Sequence, residues 1–303
     1  MFGSQLTPQE VGSVNGHVEA GSELFKLLRG IIEQRVQIEQ EYGKKLEALV
    51  KKSKTDLQKL SEDHQLARDL DLDFVRQSDY SVIDREEPLV PPSVADHIPT
   101  VVQALGVWLK QMWDEAQNRR LLAADFKSEI ADKAVLNSKF LDGLRDENIK
   151  CYRTMLSKRD AAYERKDKAR GEYETIKGDL EKSKDKQLRA ENEKKQSQYQ
   201  RKAESQASQR DRMKNDYILS VRMANAVKHC TEGQAFPMIM DNMYNINRAQ
   251  INNLQALMLN AARRQAELGQ YLGTRLEEMM QCLGAVRAEH DIQAWINERI
   301  SSG

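Results

Sequence analysis

Between Pro99 and Pro237 the chain contains no proline, and so long a run without the strongest helix breaker leaves few folds open. Inside it, seam positions recur at helical spacing. Tyr152, Met155/Leu156, Arg159, Ala162/Tyr163, Lys166, Ala169, Tyr173, Ile176 and Leu180 keep a repeat near 3.5, and Tyr217, Val221, Ala224 and Val227 resume it. From Leu180 to Ala203 apolar residues almost vanish, which places a chain reversal there. A helix from Val94 to about Lys177 would be roughly 125 Å long. That exceeds any small globular domain, so the expected molecule is rod-like.

The flanks are read the same way. Met1 to Gly21 holds Pro8 and four glycines and predicts a short helix with flexible flanks. From Ser22 a stripe of Leu24, Leu28, Ile31, Ile38, Tyr42, Leu46, Leu49, Leu57 and Leu60 predicts a helix fading after about Leu72. Asp84–Pro92 holds Pro88, Pro91 and Pro92 and reads as a loop, with Ser93 as N-cap and Asp96 three residues on. Pro99 falls in the first turns, where proline is tolerated. Gly233–Pro237 predicts a second break, followed by a helix from Met240 to Val286. A short apolar tail with Trp295, Ile296 and Ile300 is expected to pack back on the assembly.

Charged residues make up 31% of the chain, with 6 Pro and 15 Gly, which suits long helices rather than a compact α/β domain. Such helices bury a narrow seam, and a seam this long calls for a second chain to cover it. Net charge is zero, yet it is segregated. Asp56–Glu87 carries a net of −6 and Arg145–Asp216 a net of +6, and the basic stretch is the candidate for an anionic partner. Cys151, Cys230 and Cys282 are too few and too scattered for a disulfide framework and read as reduced thiols. No apolar run reaches the ~18–20 residues of a membrane span, and the N-terminus lacks a signal-peptide pattern, so any membrane contact must be peripheral.

Motifs for catalysis are missing: no glycine-rich phosphate loop, nucleophile elbow, HExxH or CxxC occurs. His17, His64, His97, His229 and His290 show no ligand-like pairing, and His229 beside Cys230 reads as structural. The chain is expected not to be an enzyme, and neither a metal nor a cofactor is expected.

Glu23–Arg29, followed by Gln34-Arg35-Val36-Gln37-Ile38-Glu39-Gln40-Glu41-Tyr42-Gly43-Lys44-Lys45-Leu46, resembles the opening helix of F-BAR domains. There Arg-x-x-(Ile/Val)-Glu-x-x-Tyr-(Ala/Gly)-Lys-x-Leu recurs, and Arg35, Ile38, Glu39, Tyr42, Gly43, Lys44 and Leu46 fall in place. The resemblance continues through a proline-bearing loop, a very long helix, a lysine-rich hairpin and a last helix, covering roughly Leu6 to Val286. It implies an all-α, elongated bundle of very long antiparallel helices that forms a curved antiparallel homodimer. The F-BAR domain would span 1–290, with 291–303 a tail leading toward further domains of a larger protein, such as RhoGAP, SH3 or kinase domains.

Such dimers bind anionic phospholipids (phosphatidylserine and phosphoinositides), sense or induce curvature, and assemble further on the membrane, in endocytosis, cytokinesis or polarised growth. A cytoplasmic protein held at the inner face of the plasma membrane is implied, with no nucleic-acid partner. By family position Lys51, Lys52, Arg119 and Arg120 resemble the central membrane-facing cations, and Lys150, Arg153, Lys158, Arg159, Arg165 and Lys166 continue toward the tips. Tyr42 and Ile38 are expected inside the bundle, with Arg35 and Glu39 an i,i+4 pair. The competing reading is a cytoskeletal or signalling scaffold that oligomerises and docks partners without strong membrane bending.

Overall fold

Long uninterrupted helical periodicity gives long helices here, and no strand occurs among the described residues. The computed structural model describes residues 10–64 and 99–301. Its elements are α1 (Val11–His64), α2 (Thr100–Asp125), α3 (Asp132–Leu188), α4 (Glu193–Lys228), α5 (Phe236–Gly284) and α6 (Ala288–Ser301). π-Helical segments join α2 to α3 at Phe126–Ala131 and α4 to α5 at His229–Ala235. At ~1.5 Å per residue the 57 residues of α3 run about 86 Å. The proline loop at 84–92 and the Ser93 cap with Asp96 lie outside the described residues.

Three expectations change. α1 is one helix from Val11, not a short helix followed by another. Gly21 is there for contact rather than flexibility, since a Cβ at this position would collide with Oε1 of Gln250. The expected break at Gly233–Pro237 is a π-helical segment that runs straight into α5. The wider turn relieves the clash between the Pro237 ring and the preceding carbonyls, so the proline opens a new helix without reversing the chain. Finally, the boundary set at 290/291 falls inside α6, which begins at Ala288.

Reversal does occur within the expected window. α3 ends at Leu188, and Asn192 caps α4 by accepting from the Lys194 amide at 2.9 Å.

The chain forms two compact units. One combines α1 up to Ser22 with Lys139–Ile251. There Val11, Phe236 and Met240 form a core cluster against Val14, Ile149 and Tyr152. The Tyr152 ring lies 6.3 Å from Phe236, and Tyr173 stacks on Tyr217 at 6.3 Å. A buried polar relay fixes register among α1, α3 and α5. Gln250 donates to the Val18 carbonyl (3.0 Å) and the Ser22 hydroxyl (3.2 Å), and Ser22 donates to Asp142 (2.6 Å).

The second unit takes the rest of α1, the chain to Ser138, and everything from Asn252 on. Its α1–α2 seam holds Val50, Leu109 and Trp113 against Leu57 and Met112. Along α1 the buried row is Val11, Val18, Phe25, Ile32, Val36 and Val50. Much of the expected stripe stands outside it: Leu24, Ile31, Ile38, Tyr42, Leu49 and Leu60 are exposed. Ile38 and Tyr42 are therefore not interior within one chain. The inward row sits a residue to one side of the row chosen by hydrophobicity, because α1 carries apolar residues on two faces.

Candidate functional site

The Arg-x-x-Ile-Glu-x-x-Tyr-Gly segment of α1 faces α2 and clamps it. Glu39, only 2% exposed at its side chain, pairs with Arg35 one turn back. Its other oxygen lies 3.2 Å from the guanidinium of Arg119 on α2. Arg119 also reaches Glu115 at 3.3 Å and lies over the Tyr42 ring, 5.0 Å from its centre. The Tyr42 hydroxyl donates to Glu115 at 3.1 Å. Burial, then the Glu115 charge, pushes this phenol up. One turn on, a Cβ at Gly43 would stand 2.9 Å from the Ala116 carbonyl, so only glycine lets the two backbones approach this closely.

Beyond the clamp, Arg120 bonds Glu47 at 3.0 Å, Lys51 reaches the same carboxylate at 2.7 Å, and the Lys51 ammonium sits 5.6 Å over the Trp113 ring. The structure thus brings Lys51 and Arg120 together on one carboxylate and locks Arg119 inside the helix–helix contact. Lys52 faces solvent.

On α3 the six expected cations also divide. Lys150, Arg153, Lys158 and Arg165 are exposed. Arg159 is bonded to Asp160 at 2.9 Å, and that bond, against desolvation, raises its pKa. Lys166 pairs with Asp167 at 3.1 Å and lies over the Tyr163 ring. The division follows register: Tyr152, Arg159, Lys166 and Tyr173 are seven residues apart and share the inward row, where long alkyl stems pack while their charged ends reach outward.

Sequence reasoning missed one tie. Thr100 and Val101, the first residues of α2, donate backbone N–H groups to Asp291 of α6 at 2.8 and 3.1 Å, and the Thr100 hydroxyl adds a third bond at 2.9 Å. The signal was an aspartate at the start of an apolar tail, which nothing in the sequence pairs with a threonine so far upstream. An apolar groove of about 490 Å³ between α3 and α5 is lined by Phe140, Leu144 and Ile246, with the Asn242–Asn148 amide pair at 3.1 Å. Glu147 is its one titratable group, which offers no acid–base pair for chemistry. Among the described residues no cluster of three His, Cys, Asp or Glu side chains could hold a metal, and no helix is long and apolar enough to cross a membrane.

Residues 10–70 match the Fes/CIP4, and EFC/F-BAR homology domain. The chain is 25% identical over 196 residues to Protein BZZ1 of Saccharomyces cerevisiae, covering 62% of this chain and 30% of that protein's length. Among solved structures, the Hof1p F-BAR domain superposes with a TM-score of 0.75 at 12% identity, covering 97% of this chain and 94% of that one. The Imp2 F-BAR domain gives 0.68 at 10% identity, covering 95% and 83%.

Proposed function

The chain is an F-BAR domain by its N-terminal homology and by its fold, and from that premise we propose that it works as a homodimer on anionic phospholipid membrane. The F-BAR fold goes with membrane binding and curvature-related function in general. Here the ligands would be phosphatidylserine and phosphoinositide headgroups at the inner face of the plasma membrane, with curvature sensing or induction and further assembly on the bilayer as the outcome. The observation that carries this reading is a set of cations with nothing to do inside the fold. Lys52, Lys150, Arg153, Lys158 and Arg165 are exposed and form no ion pair among the described residues. Each is worth ~1 kcal/mol near an anionic surface, decaying over a Debye length of ~8–10 Å.

The dimer rests on the second apolar row of α1. Leu24, Leu27, Ile31, Ile38 and Leu49 are each at least half exposed, and a row this long on a helix that already buries its other apolar side fits a second copy of the same chain. Replacing Ile38 and Leu49 by Glu should convert the dimer to monomer in sedimentation velocity.

Co-sedimentation with phosphatidylserine-rich vesicles tests the membrane reading. Wild type should pellet at low salt and release as salt rises, and should ignore pure phosphatidylcholine. A variant with Gln at Lys52, Lys150, Arg153, Lys158 and Arg165 should bind more weakly with unchanged helicity. A second reading, a partner-docking scaffold, is favoured by exposed Val101, Leu105 and Trp108 on α2 and Ile292 and Trp295 on α6. Failure of the wild type to pellet at any salt would put that reading first.

A further inference from the structure

The least neutralised positive charge lies on a helix that supplied none of the expected site residues. α4 holds nine Lys and Arg against four Asp and Glu, whereas α3 holds fifteen against twelve. The arrangement sharpens the contrast. The inward row of α4 runs through Ala203, Arg210, Tyr217 and Ala224. Opposite it, at steps of four and three, Lys194, Arg201, Arg212 and Arg222 stand exposed. The positions between them on that stripe, Gln198, Ser205, Ser208 and Asn215, are also exposed and uncharged. No carboxylate lies on the stripe. Glu204 and Asp211 flank it on one side and Asp216 on the other, each about 40–60° round the helix from its nearest stripe positions. There Glu204 accepts from Gln200 at 3.1 Å and Asp211 is held by Arg210 at 2.6 Å. None of the four stripe cations forms an ion pair among the described residues.

We propose that this outward stripe of α4 is a contact surface for anionic bilayer, additional to the cations on α1, α2 and α3. It rests on the membrane reading above and adds a second surface to it. From Lys194 to Arg222 the stripe spans about 42 Å, a straight line of charge suited to an extended anionic plane rather than a single small ligand. The same stripe of a second copy fits it poorly, because like charges would face each other. Single-stranded nucleic acid fits poorly too. Tyr199 and Tyr217 lie on the inward side, leaving no aromatic on the stripe for a base to stack on. Leu219, exposed between Arg212 and Arg222, is the one apolar side chain on the line, and leucine beside arginine is the composition that seats a helix at the headgroup boundary.

The test replaces Lys194, Arg201, Arg212 and Arg222 by Gln, which keeps helix propensity, in the full chain. Binding is measured to vesicles of equal parts phosphatidylserine and phosphatidylcholine. At ~1 kcal/mol per cation near the surface, the partition coefficient should fall on the order of 1,000-fold, with thermal unfolding and dimerisation unchanged. The half-variants, Lys194/Arg201 and Arg212/Arg222, should each lose about 30-fold, which guards against a misfolded quadruple variant. Binding of the quadruple variant within about twofold of a binding wild type would overturn this inference and leave the membrane reading standing. A wild type that binds no anionic vesicle would sink both. Loss of binding to poly-glutamate with vesicle binding intact would assign the stripe to an acidic protein and overturn the proposal.

Discussion

Replacing Asp291 by Asn is expected to loosen α6 from the start of α2 while the rest of the molecule stays folded. Pro99 occupies the N-cap of α2 and offers no side-chain acceptor, so the first amides of that helix depend on a carboxylate far along the chain. Asp291 takes three hydrogen bonds there, at 2.8, 2.9 and 3.1 Å, and the Arg287 amide closes the contact by donating to the Thr100 hydroxyl at 2.9 Å. Bonds to a charged group contribute ~1.5–3 kcal/mol each. Asparagine keeps one acceptor of the same shape but loses the charge and turns an N–H toward other donors, so a loss of about 2 kcal/mol is expected. That corresponds to roughly 30-fold less hydrogen-exchange protection in α6.

The sign with pH follows. Burial alone would raise the Asp291 carboxyl, but the bonds from Thr100, Val101 and His290 overcome it and hold it below the usual aspartate range. Its stabilisation is complete above the unfolded value of about 3.9 and is lost as pH falls through the lower folded value. Protection of α6 in the wild type should hold from about pH 7 to about pH 5 and drop toward that of the variant below about pH 4, a step the variant lacks. Equal α6 protection in variant and wild type at neutral pH would refute the tie. So would an equal loss across every helix, which would make Asp291 a global rather than a local support.

Glu39→Ala should cost about 3–5 kcal/mol in denaturant unfolding, because it strands the half-buried Arg119 beside Arg35 without their shared carboxylate; a cost under ~1 kcal/mol would mean the clamp is incidental. Gly43→Ala should destabilise by about 1–2 kcal/mol through the Ala116 carbonyl. Gly30→Ala, where a Cβ meets nothing, should stabilise by about 0.5–1 kcal/mol, and thermal melts of the pair separate packing from propensity. Replacing Cys151, Cys230 and Cys282 by Ser should leave the dimer intact in sedimentation. The only measurable cost should come at buried Cys282, at about 1–2 kcal/mol.

The all-helical class, the reversal near residue 190 and the inward placement of Tyr152, Tyr163, Tyr173 and Tyr217 were legible in the sequence, because helical periodicity is local and the 3.5-residue repeat names its own inward face. The same repeat already held Arg159 and Lys166 in register with Tyr152 and Tyr173, so their half-burial could have been read there. Which of two apolar rows on α1 a single chain buries was not legible. Leu24, Ile31 and Ile38 are as hydrophobic as Phe25, Ile32 and Val36, and only the position of the neighbouring helices chooses between them. Nor could sequence tell Arg119 from Lys52: both are cations at family positions, and their difference is the presence of Glu39, Glu115 and Tyr42 around one of them. Glycines read alike along the chain, yet Gly21 and Gly43 mark close approaches and Gly30 marks nothing. A repeat along one helix determines its faces; what each face meets is decided by residues far along the chain, 80 positions away for Glu39 and Arg119 and 191 for Thr100 and Asp291.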